Sequence, residues 1–351
     1  MISGRMLVIR RGGLGDFILA LPVLEALHKR FEGLHLEVMC ASSMIPLVMG
    51  TGHICGAKSA ETPGLSTFYG DGACPDPRFS EYFRTFNRII LLGVDPEGRF
   101  SANVRLAGAG EVAVIPPFPP RGLSVHVSDY LVRSTTGFLR ADPPRVEIFD
   151  EELRSAREFI LAGMGRSVSM ARGGFPSLAA IHPGSGGAGK IWPPAYMARV
   201  VHGLTQEGHI NGILLIQGPA DDEYAKVLHE ELDGSLVIPV SNRPLLELSA
   251  ILRSARLFLG SDSGVAHLAA AVGVPTGVIF GPTDPRLWAP RGPCVAVIRK
   301  EMPCAPCGYE GMRICMQRDC LGDVLVEDVL NTARSLLQKQ SNSFCQRKRW
   351  H

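Results

Sequence analysis

The second half of the chain alternates short apolar segments with helix-capable ones, and this alternation limits the folds open to it. Strands are predicted at 178–182, 212–217, 236–240, 256–260 and 276–280, and helices at 194–207, 220–232, 244–254 and 264–272. Strands that alternate with helices are typical of a parallel sheet covered by helices on both faces. The second half is therefore predicted to be a doubly wound α/β domain.

The first half shows the same alternation less regularly. Strands are predicted at 6–10, 35–41 and 88–93, and a helix at 16–31. Two stretches, 50–80 and 108–122, carry many glycine, proline or serine residues and are predicted to be long loops. The fold class that follows is α/β with two Rossmann-like domains, which are expected to face each other across a cleft.

A length of 351 residues favours two domains over one. The boundary is predicted in 166–177, a stretch without periodicity that holds adjacent glycines and a proline. The predicted parts are an N-terminal domain at 1–165, a linker at 166–177, a C-terminal domain at 178–325, a last helix at 326–338, and a disordered basic tail at 339–351.

Composition excludes several functional classes. A net charge of +2 gives no reason to expect a nucleic-acid partner, and a hydrophobic fraction of 46% is ordinary for a globular protein. No run of about 18 apolar residues occurs that could span a membrane. Asp16 and Pro22 interrupt the first apolar stretch, and no small-residue cleavage site follows it, so a signal peptide is not expected and a cytoplasmic location is.

A glycine-rich loop, RGGLGD, follows the first predicted strand. It contains Gly12, Gly13, Gly15 and Asp16. The dinucleotide fingerprint G-x-G-x-x-G does not fit this spacing, and the second strand does not end in an acidic residue, so an NAD site is weakly indicated. Asp16 is either the cap of the following helix or a base held at the domain cleft.

A second glycine-rich loop, HPGSGGAGK, follows the strand at 178–182 and precedes a helix. Small residues that free backbone N–H groups, the Ser185 hydroxyl and the Lys190 ammonium together favour an anion site. The Walker pattern fails because Ile191 follows the lysine. The alternative is an ordinary strand-to-helix turn with a surface lysine.

Two further segments carry candidate ligand-binding residues. Glu223 follows a predicted strand end, where it either holds a ribose or simply begins a helix. In GSDSGVAH, Asp262 or Ser263 caps a helix, and Ser263 and His267 share one helix face. Taken together, Asp262, Ser263, Gly264 and His267 favour a ligand site over a cap and a core histidine.

Nine cysteines occur, and four of them cluster as Cys304, Cys307, Cys315 and Cys320. The C-x2-C pair fits a zinc or redox pair, and four thiolates could complete a tetrahedral zinc site. The other separations fit no familiar zinc ribbon, so a group of free thiols stays an equal alternative.

Five ordered segments across nearly the whole chain resemble glycosyltransferase family 9, the lipopolysaccharide heptosyltransferase family. They are LVIRRGGLGDFILALPVLEALHKRF, IHPGSGGAGKIWPPAYMARVV, LIQGPADDE, GSDSGVAHLAAAVGVPTGVIFGPTDPRLWAP and CAPCGYEGMRICMQRDC. The resemblance implies a GT-B fold with an N-terminal acceptor domain and a C-terminal nucleotide-sugar domain. It also implies an inverting, metal-independent transfer that needs no cofactor, with heptose from ADP-heptose as the expected donor group.

The resemblance assigns roles to the candidate residues. Asp16 matches the family's proposed base, with Gly12, Gly13 and Gly15 forming the loop on the acceptor side. Ser185, Gly186 and Lys190 match the pyrophosphate-binding stretch, and Glu223 matches the acid near the ribose. The segment that faces the donor sugar and phosphates is matched by Asp262, Ser263, Gly264 and His267.

The implied partners are a lipid-linked glycan acceptor and the inner membrane surface, which the protein would contact peripherally. Three alternatives stay open on the sequence alone. They are a relative that uses another nucleotide sugar or acceptor, a non-catalytic nucleotide-binding module, and an NAD-dependent oxidoreductase.

Overall fold

The computed structural model describes residues 4–70, 75–164, 175–218 and 221–341. The chain divides into two compact units, Met1–Glu147 and Ile148–His351. Each unit contains one fully parallel sheet, because every strand is separated from its neighbours in the sheet by crossover segments that contain helices.

The first unit holds a five-stranded sheet with strand order β3-β2-β1-β4-β5. Its strands are β1 (Arg5–Arg10), β2 (His35–Cys40), β3 (Ile54–Ser59), β4 (Arg88–Leu92) and β5 (Glu111–Ile115). Its helices are α1 (Leu14–Arg30), α2 (Pro46–Met49), α3 (Pro77–Arg84), α4 (Arg99–Leu106) and α5 (Val127–Thr136). The strands β1, β2 and β4 and the helix α1 confirm the predicted alternation.

The two predicted long loops of the first unit are wrong in part. Strand β3 and a 3₁₀ segment at Pro63–Tyr69 lie within 50–80, helix α3 begins there, and strand β5 lies within 108–122. The reason is a core of aromatic side chains that order this part of the chain. Its T-shaped and tilted ring contacts involve Phe68, Phe79, Phe83 and Phe100, each at most 2% exposed.

The second unit holds a six-stranded sheet with strand order β11-β10-β9-β6-β7-β8. Its strands are β6 (Leu178–His182), β7 (Gly212–Gln217), β8 (Val237–Ser241), β9 (Leu257–Ser261), β10 (Thr276–Phe280) and β11 (Val295–Arg299). Its helices are α6 (Asp150–Gly163), α7 (Pro194–Gln206), α8 (Asp222–Glu231), α9 (Leu245–Arg253), α10 (Gly264–Ala271), α11 (Pro285–Trp288), α12 (Gly308–Ile314), α13 (Asp319–Gly322) and α14 (Val326–Ser341). This order is the doubly wound arrangement that the sequence predicts.

The division between the units differs from the predicted boundary. Helix α6 belongs to the second unit, where it packs against α9 and β8, and the Arg243 guanidinium lies 4.2 Å from the Phe159 ring centroid. Helix α6 therefore belongs to the second unit because its amphipathic face packs there. Of the predicted linker, 166–174 lies outside the described residues, as does 342–351 of the predicted basic tail.

The last helix, α14, is longer than predicted and packs on α7, β9, β10 and β11. Its buried residues complete one apolar layer of the second sheet. Among the residues that the structure describes, no helix has both the length and the apolar character needed to cross a membrane.

Candidate functional site

Each sheet has a position where the strand order reverses, and the candidate residues collect there. In the first unit, β1 lies between β2 and β4; in the second, β6 lies between β7 and β9. Crossovers leave in opposite directions from these central strands, which opens a crevice at the carboxyl ends of the strands. Asp16 follows β1, and the HPGSGGAGK loop follows β6.

Asp16 lies in the first turn of α1, which begins at Leu14 after the N-cap Gly13. No side chain forms a cap bond there, so the interpretation of Asp16 as the helix cap is wrong. Gly12 has a φ of +135°, and a Cβ at this position would meet Asp16 Oδ2 at 3.0 Å. Glycine is required at position 12 because the backbone turns and passes close to the carboxylate.

A buried arginine that the sequence analysis did not single out supports Asp16. Arg10 Nε donates to the Asp16 carbonyl at 3.4 Å, Nη1 donates to the Leu92 carbonyl at 3.1 Å, and Nη2 lies 3.8 Å from Asp16 Oδ1. Burial lowers the pKa of Arg10, and the nearby Asp16 charge opposes that shift. The arrangement fixes a partly exposed carboxylate at the switch point of the first sheet.

In the second unit, Asp262 joins Ser185 and Lys190 of the predicted anion site to Thr283, a residue that the sequence did not indicate. Lys190 Nζ lies 3.2 Å from Asp262 Oδ2, and Thr283 Oγ1 donates to the same oxygen at 2.8 Å. The Ser185 hydroxyl donates to the Asp262 backbone carbonyl at 2.6 Å. The structure thus brings Asp262 to Ser185 and Lys190, which lie 77 and 72 residues before it in the sequence.

Buried polar contacts fix the end of this glycine-rich loop. The Trp192 backbone N–H donates to Ser261 Oγ at 3.1 Å, and its indole Nε1 donates to the Val324 carbonyl at 3.3 Å. Trp192 is 2% exposed, so the loop that carries Lys190 ends in the core. Because Trp192 is anchored in this way, Lys190 just before it in the chain is held near Asp262.

Ser263 is the N-cap of α10, and its hydroxyl accepts the Ala266 N–H at 3.3 Å. This contact settles the choice between Asp262 and Ser263 as the cap. Gly264 is the first residue of the helix, and His267 is buried one turn further along. The predicted residues of this segment therefore lie together at the helix N-terminus.

Besides Arg10 and Thr283, the sequence did not indicate His182 and Asp221 as residues of the site. His182 Nδ1 lies 3.1 Å from Ser263 Oγ, and His182 Nε2 lies 3.0 Å from Asp221 Oδ2. Burial would raise the pKa of Asp221, but hydrogen bonds from His182 and from the Gly218 N–H outweigh it and lower the pKa. The position of His182 at a strand end was the signal that could have identified it.

Gly184, Gly186 and Glu223 have different surroundings. A Cβ at Gly184 would lie 1.6 Å from Asp221 Oδ1, so the contact between the glycine-rich loop and Asp221 requires glycine there. Gly186 is exposed, with no atom within 4 Å of a Cβ built on it. Glu223 is exposed in the first turn of α8, so its predicted contact with a ribose stays a prediction.

The four clustered cysteines line one small cavity of about 80 Å³ beside the glycine-rich loop. Burial and the neighbouring thiols raise the pKa of Cys307 and Cys320. The cysteine segment also contacts the glycine-rich loop, since Arg318 Nη1 donates to the Ala188 carbonyl at 3.0 Å. Within the described ranges, no group of three or more histidine, cysteine or acidic residues is arranged to hold a metal ion. The zinc prediction for Cys304, Cys307, Cys315 and Cys320 is therefore unsupported, and the structure shows free thiols.

Comparison with known proteins gives a family match and relatives of one kind. The family model of glycosyltransferase family 9 (heptosyltransferase) matches residues 137–314. Lipopolysaccharide heptosyltransferase 1 of Pseudomonas aeruginosa is 33% identical over 135 residues, which span 38% of this chain and 37% of that protein. Lipopolysaccharide heptosyltransferase 3 of Escherichia coli is 25% identical over 315 residues, which span 79% of this chain and 83% of that protein.

A solved structure agrees in fold. The E. coli ADP-heptose lipopolysaccharide heptosyltransferase II has a TM-score of 0.73 at 18% identity, and the match covers 96% of this chain and 99% of that one. This similarity confirms the predicted GT-B fold class with two parallel-sheet domains. Because the family model matches more than half of its length, the chain belongs to glycosyltransferase family 9.

Proposed function

We propose that the chain transfers heptose from ADP-heptose to a hydroxyl group of a lipopolysaccharide core acceptor. The observation that carries the proposal is the Ser185–Lys190–Asp262–Thr283 cluster at the switch point of the second sheet. It offers a cation and hydroxyl groups beside a helix N-terminus, which together suit a diphosphate. The names of the relatives supply the sugar and the acceptor class.

In the proposed reaction, the acceptor oxygen attacks the anomeric carbon of the donor sugar. A new carbon–oxygen bond forms, the bond from that carbon to the diphosphate oxygen breaks, and ADP leaves with the electron pair. Asp16 accepts the proton of the attacking hydroxyl. A single displacement of this kind inverts the anomeric centre, because no enzyme nucleophile forms an intermediate.

The charge that develops on the leaving diphosphate needs stabilisation. Lys190 supplies a full positive charge, and the N-terminus of α10 supplies backbone N–H dipoles. The sequence contains no D-x-D segment, the usual metal-binding signature of such sites. We therefore propose that these groups perform the metal's role and that transfer is metal-independent.

The acceptor in this proposal is lipid-linked, so the chain would work at the cytoplasmic face of the inner membrane as a peripheral protein. Co-sedimentation with vesicles of neutral and anionic phospholipid tests that location. Binding to vesicles supports it, and a protein that stays in the supernatant with both vesicle types contradicts it.

The transfer itself is tested with purified protein, ADP-heptose and truncated core lipopolysaccharides that lack successive heptoses. We expect ADP release with one acceptor only, inversion at the anomeric carbon, and full activity in EDTA. The Asp16→Asn variant should lose transfer and keep ADP-heptose binding, which separates an enzyme from a nucleotide-binding module. Unchanged transfer in this variant contradicts the role of Asp16, and a shift of NADH fluorescence on mixing favours an oxidoreductase.

A further inference from the structure

Three buried side chains from separate elements form a hydrogen-bonded chain in the second unit. Asp221 follows β7, His182 ends β6 and Ser263 caps α10. The His182 ring joins them, with contacts of 3.0 Å to Asp221 and 3.1 Å to Ser263. All three residues are at most 6% exposed, so water does not compete freely for these bonds.

The donors and acceptors in this chain can be assigned by counting. The Asp221 carboxylate is an acceptor and already receives the Gly218 N–H at 2.7 Å, so the hydrogen between Asp221 and His182 belongs to His182 Nε2. At the other end, Ser263 Oγ receives the Ala266 N–H. One lone pair and one hydrogen of the Ser263 hydroxyl are left for other partners.

The protonation of His182 decides where that hydroxyl hydrogen points. In the neutral ring, Nδ1 carries no hydrogen and must accept the Ser263 O–H. In the cationic ring, Nδ1–H donates to the remaining lone pair of Ser263 Oγ, and the O–H is released. The Asp221 carboxylate lies against the opposite ring nitrogen, 3.0 Å from Nε2.

We propose that Asp221 and His182 are positioning residues that, through the proton on His182, set Ser263 Oγ to donate a hydrogen bond to the diphosphate of the sugar donor. The inference rests on the proposed function, since it takes the donor to bind at the N-terminus of α10. A diphosphate favours both the free O–H and the nearby positive charge, so donor binding and a proton on His182 favour each other.

Other ionisable groups surround the chain. Lys190 and Asp262 lie beside Ser263 and form an ion pair at 3.2 Å, so their effects on the His182 charge oppose each other. His267 lies one helical turn beyond Ser263. Asp221 is the carboxylate in direct contact with the His182 ring. Its charge therefore controls the coupling between the proton on His182 and the binding of the sugar donor.

Isothermal titration calorimetry with ADP-heptose between about pH 6 and pH 8, where imidazoles titrate, tests the coupling. The diphosphate of this ligand is esterified at both ends and does not titrate in that range. For the wild-type protein, we expect affinity to fall about tenfold as the pH rises, the effect of losing one hydrogen bond to a charged group. Titrations in buffers of different ionisation enthalpy should show proton uptake on binding.

Asp221→Asn keeps an acceptor oxygen for Gly218 and His182 but removes the negative charge in contact with the ring. We expect weak, pH-independent affinity and no proton uptake in this variant. The same flat profile is expected for Ser263→Ala. Asp222→Asn is the matched control, because Asp222 is the exposed neighbouring carboxylate, and this variant should follow the wild-type profile.

A wild-type affinity that does not change with pH overturns the inference, and so does an Asp221→Asn profile that matches the wild type. If Asp221→Asn fails to fold, Ser263→Ala and the proton uptake of the wild type decide the matter. Absence of ADP-heptose binding at every pH contradicts the proposed function itself. Binding and transfer without proton uptake contradict only the role of His182.

Discussion

Arg10 is almost fully buried, and its Nη2 lies 3.8 Å from Oδ1 of Asp16, a carboxylate whose side chain is 31% exposed. No hydrogen-bond partner is found for this Nη2 in the described part of the chain. Arg10 Nη1 is fixed by the Leu92 carbonyl on the neighbouring strand β4. The Arg10 guanidinium therefore holds Asp16 through its charge and through a hydrogen bond to the Asp16 backbone carbonyl. Both carboxylate oxygens of Asp16 stay available to accept a proton.

Replacing Arg10 with methionine tests this support. Arg10→Met should lower kcat about 100-fold, the cost of a misplaced reacting group, and leave the KM for ADP-heptose unchanged. Arg10→Lys keeps the positive charge but loses the planar guanidinium with its several N–H donors, so its kcat should lie between those of Arg10→Met and the wild type. Arg11→Met is the control, since Arg11 is exposed and contacts the Tyr69 ring instead. Equal losses in the Arg10→Met and Arg11→Met variants count against a special role for Arg10.

Lys190 is predicted to bind the donor diphosphate. Lys190→Gln should weaken ADP binding about tenfold or more, because it removes a charge-assisted hydrogen bond from a partly buried site. The control is Lys226→Gln, whose partner Glu230 is largely exposed and whose loss should have little effect. ADP affinity by calorimetry gives the comparison, and wild-type affinity in Lys190→Gln argues against the site.

Gly184 is required by the position of Asp221. Gly184→Ala places a Cβ where Asp221 Oδ1 now lies, so either the loop or the carboxylate must move. Overpacking of this kind costs about 1–3 kcal/mol, which corresponds to a fall of several degrees in Tm. Gly186→Ala, at an open position in the same loop, should leave the Tm unchanged. Thermal unfolding compares the two variants, and an unchanged Tm in Gly184→Ala contradicts the contact.

Glu37 predicts how the stability of the first unit depends on pH. Burial raises its pKa, but hydrogen bonds from Arg5, Tyr82 and His35 outweigh burial and hold the pKa below its ordinary value of 4.5. A carboxyl group with a lowered pKa in the folded state stabilises that state above its unfolded pKa. The stabilisation is lost as the pH falls through the folded pKa.

Glu37→Gln should therefore destabilise the protein at pH 7 and have a smaller effect on the acid side of pH 4.5. Urea unfolding at the two pH values measures the difference. Glu32→Gln, at an exposed position, serves as the control. A destabilisation that is the same at both pH values assigns the effect of Glu37 to packing rather than to its charge.

The thiols should differ strongly in reactivity. Burial, with a smaller contribution from the Glu61 charge, raises the pKa of Cys40 to about 12, so its reactive thiolate is scarce in the folded protein. Cys55 and Cys304 are exposed. Alkylation with iodoacetamide followed by mass spectrometry should label Cys55 and Cys304 in the native protein and Cys40 only after unfolding. Native labelling of Cys40 contradicts its placement in the core of the first unit.

Much of the fold follows from local patterns. The strands β1, β2, β4, β6, β7, β9 and β10 are buried along most of their length, and such strands can be recognised because most of their residues are hydrophobic. Strands β3, β5 and β11 lie at sheet edges and are only partly buried, so their apolar pattern is weaker. They were missed, and so was the assignment of α6 to the second unit, because contacts distant in sequence decide both.

The sequence by itself determined two parallel α/β domains, the two glycine-rich loops, and the candidates Asp16, Ser185, Lys190 and Asp262. Only the tertiary structure joined His182 to Asp221 and Ser263, which lie 39 and 81 residues away, and Arg10 to Leu92, 82 residues away. The physical reason is the strand order. Each central strand pairs on one side with the next strand in the sequence and on the other side with a later one, so the groups that meet at its carboxyl end are fixed by sheet register rather than by spacing along the chain.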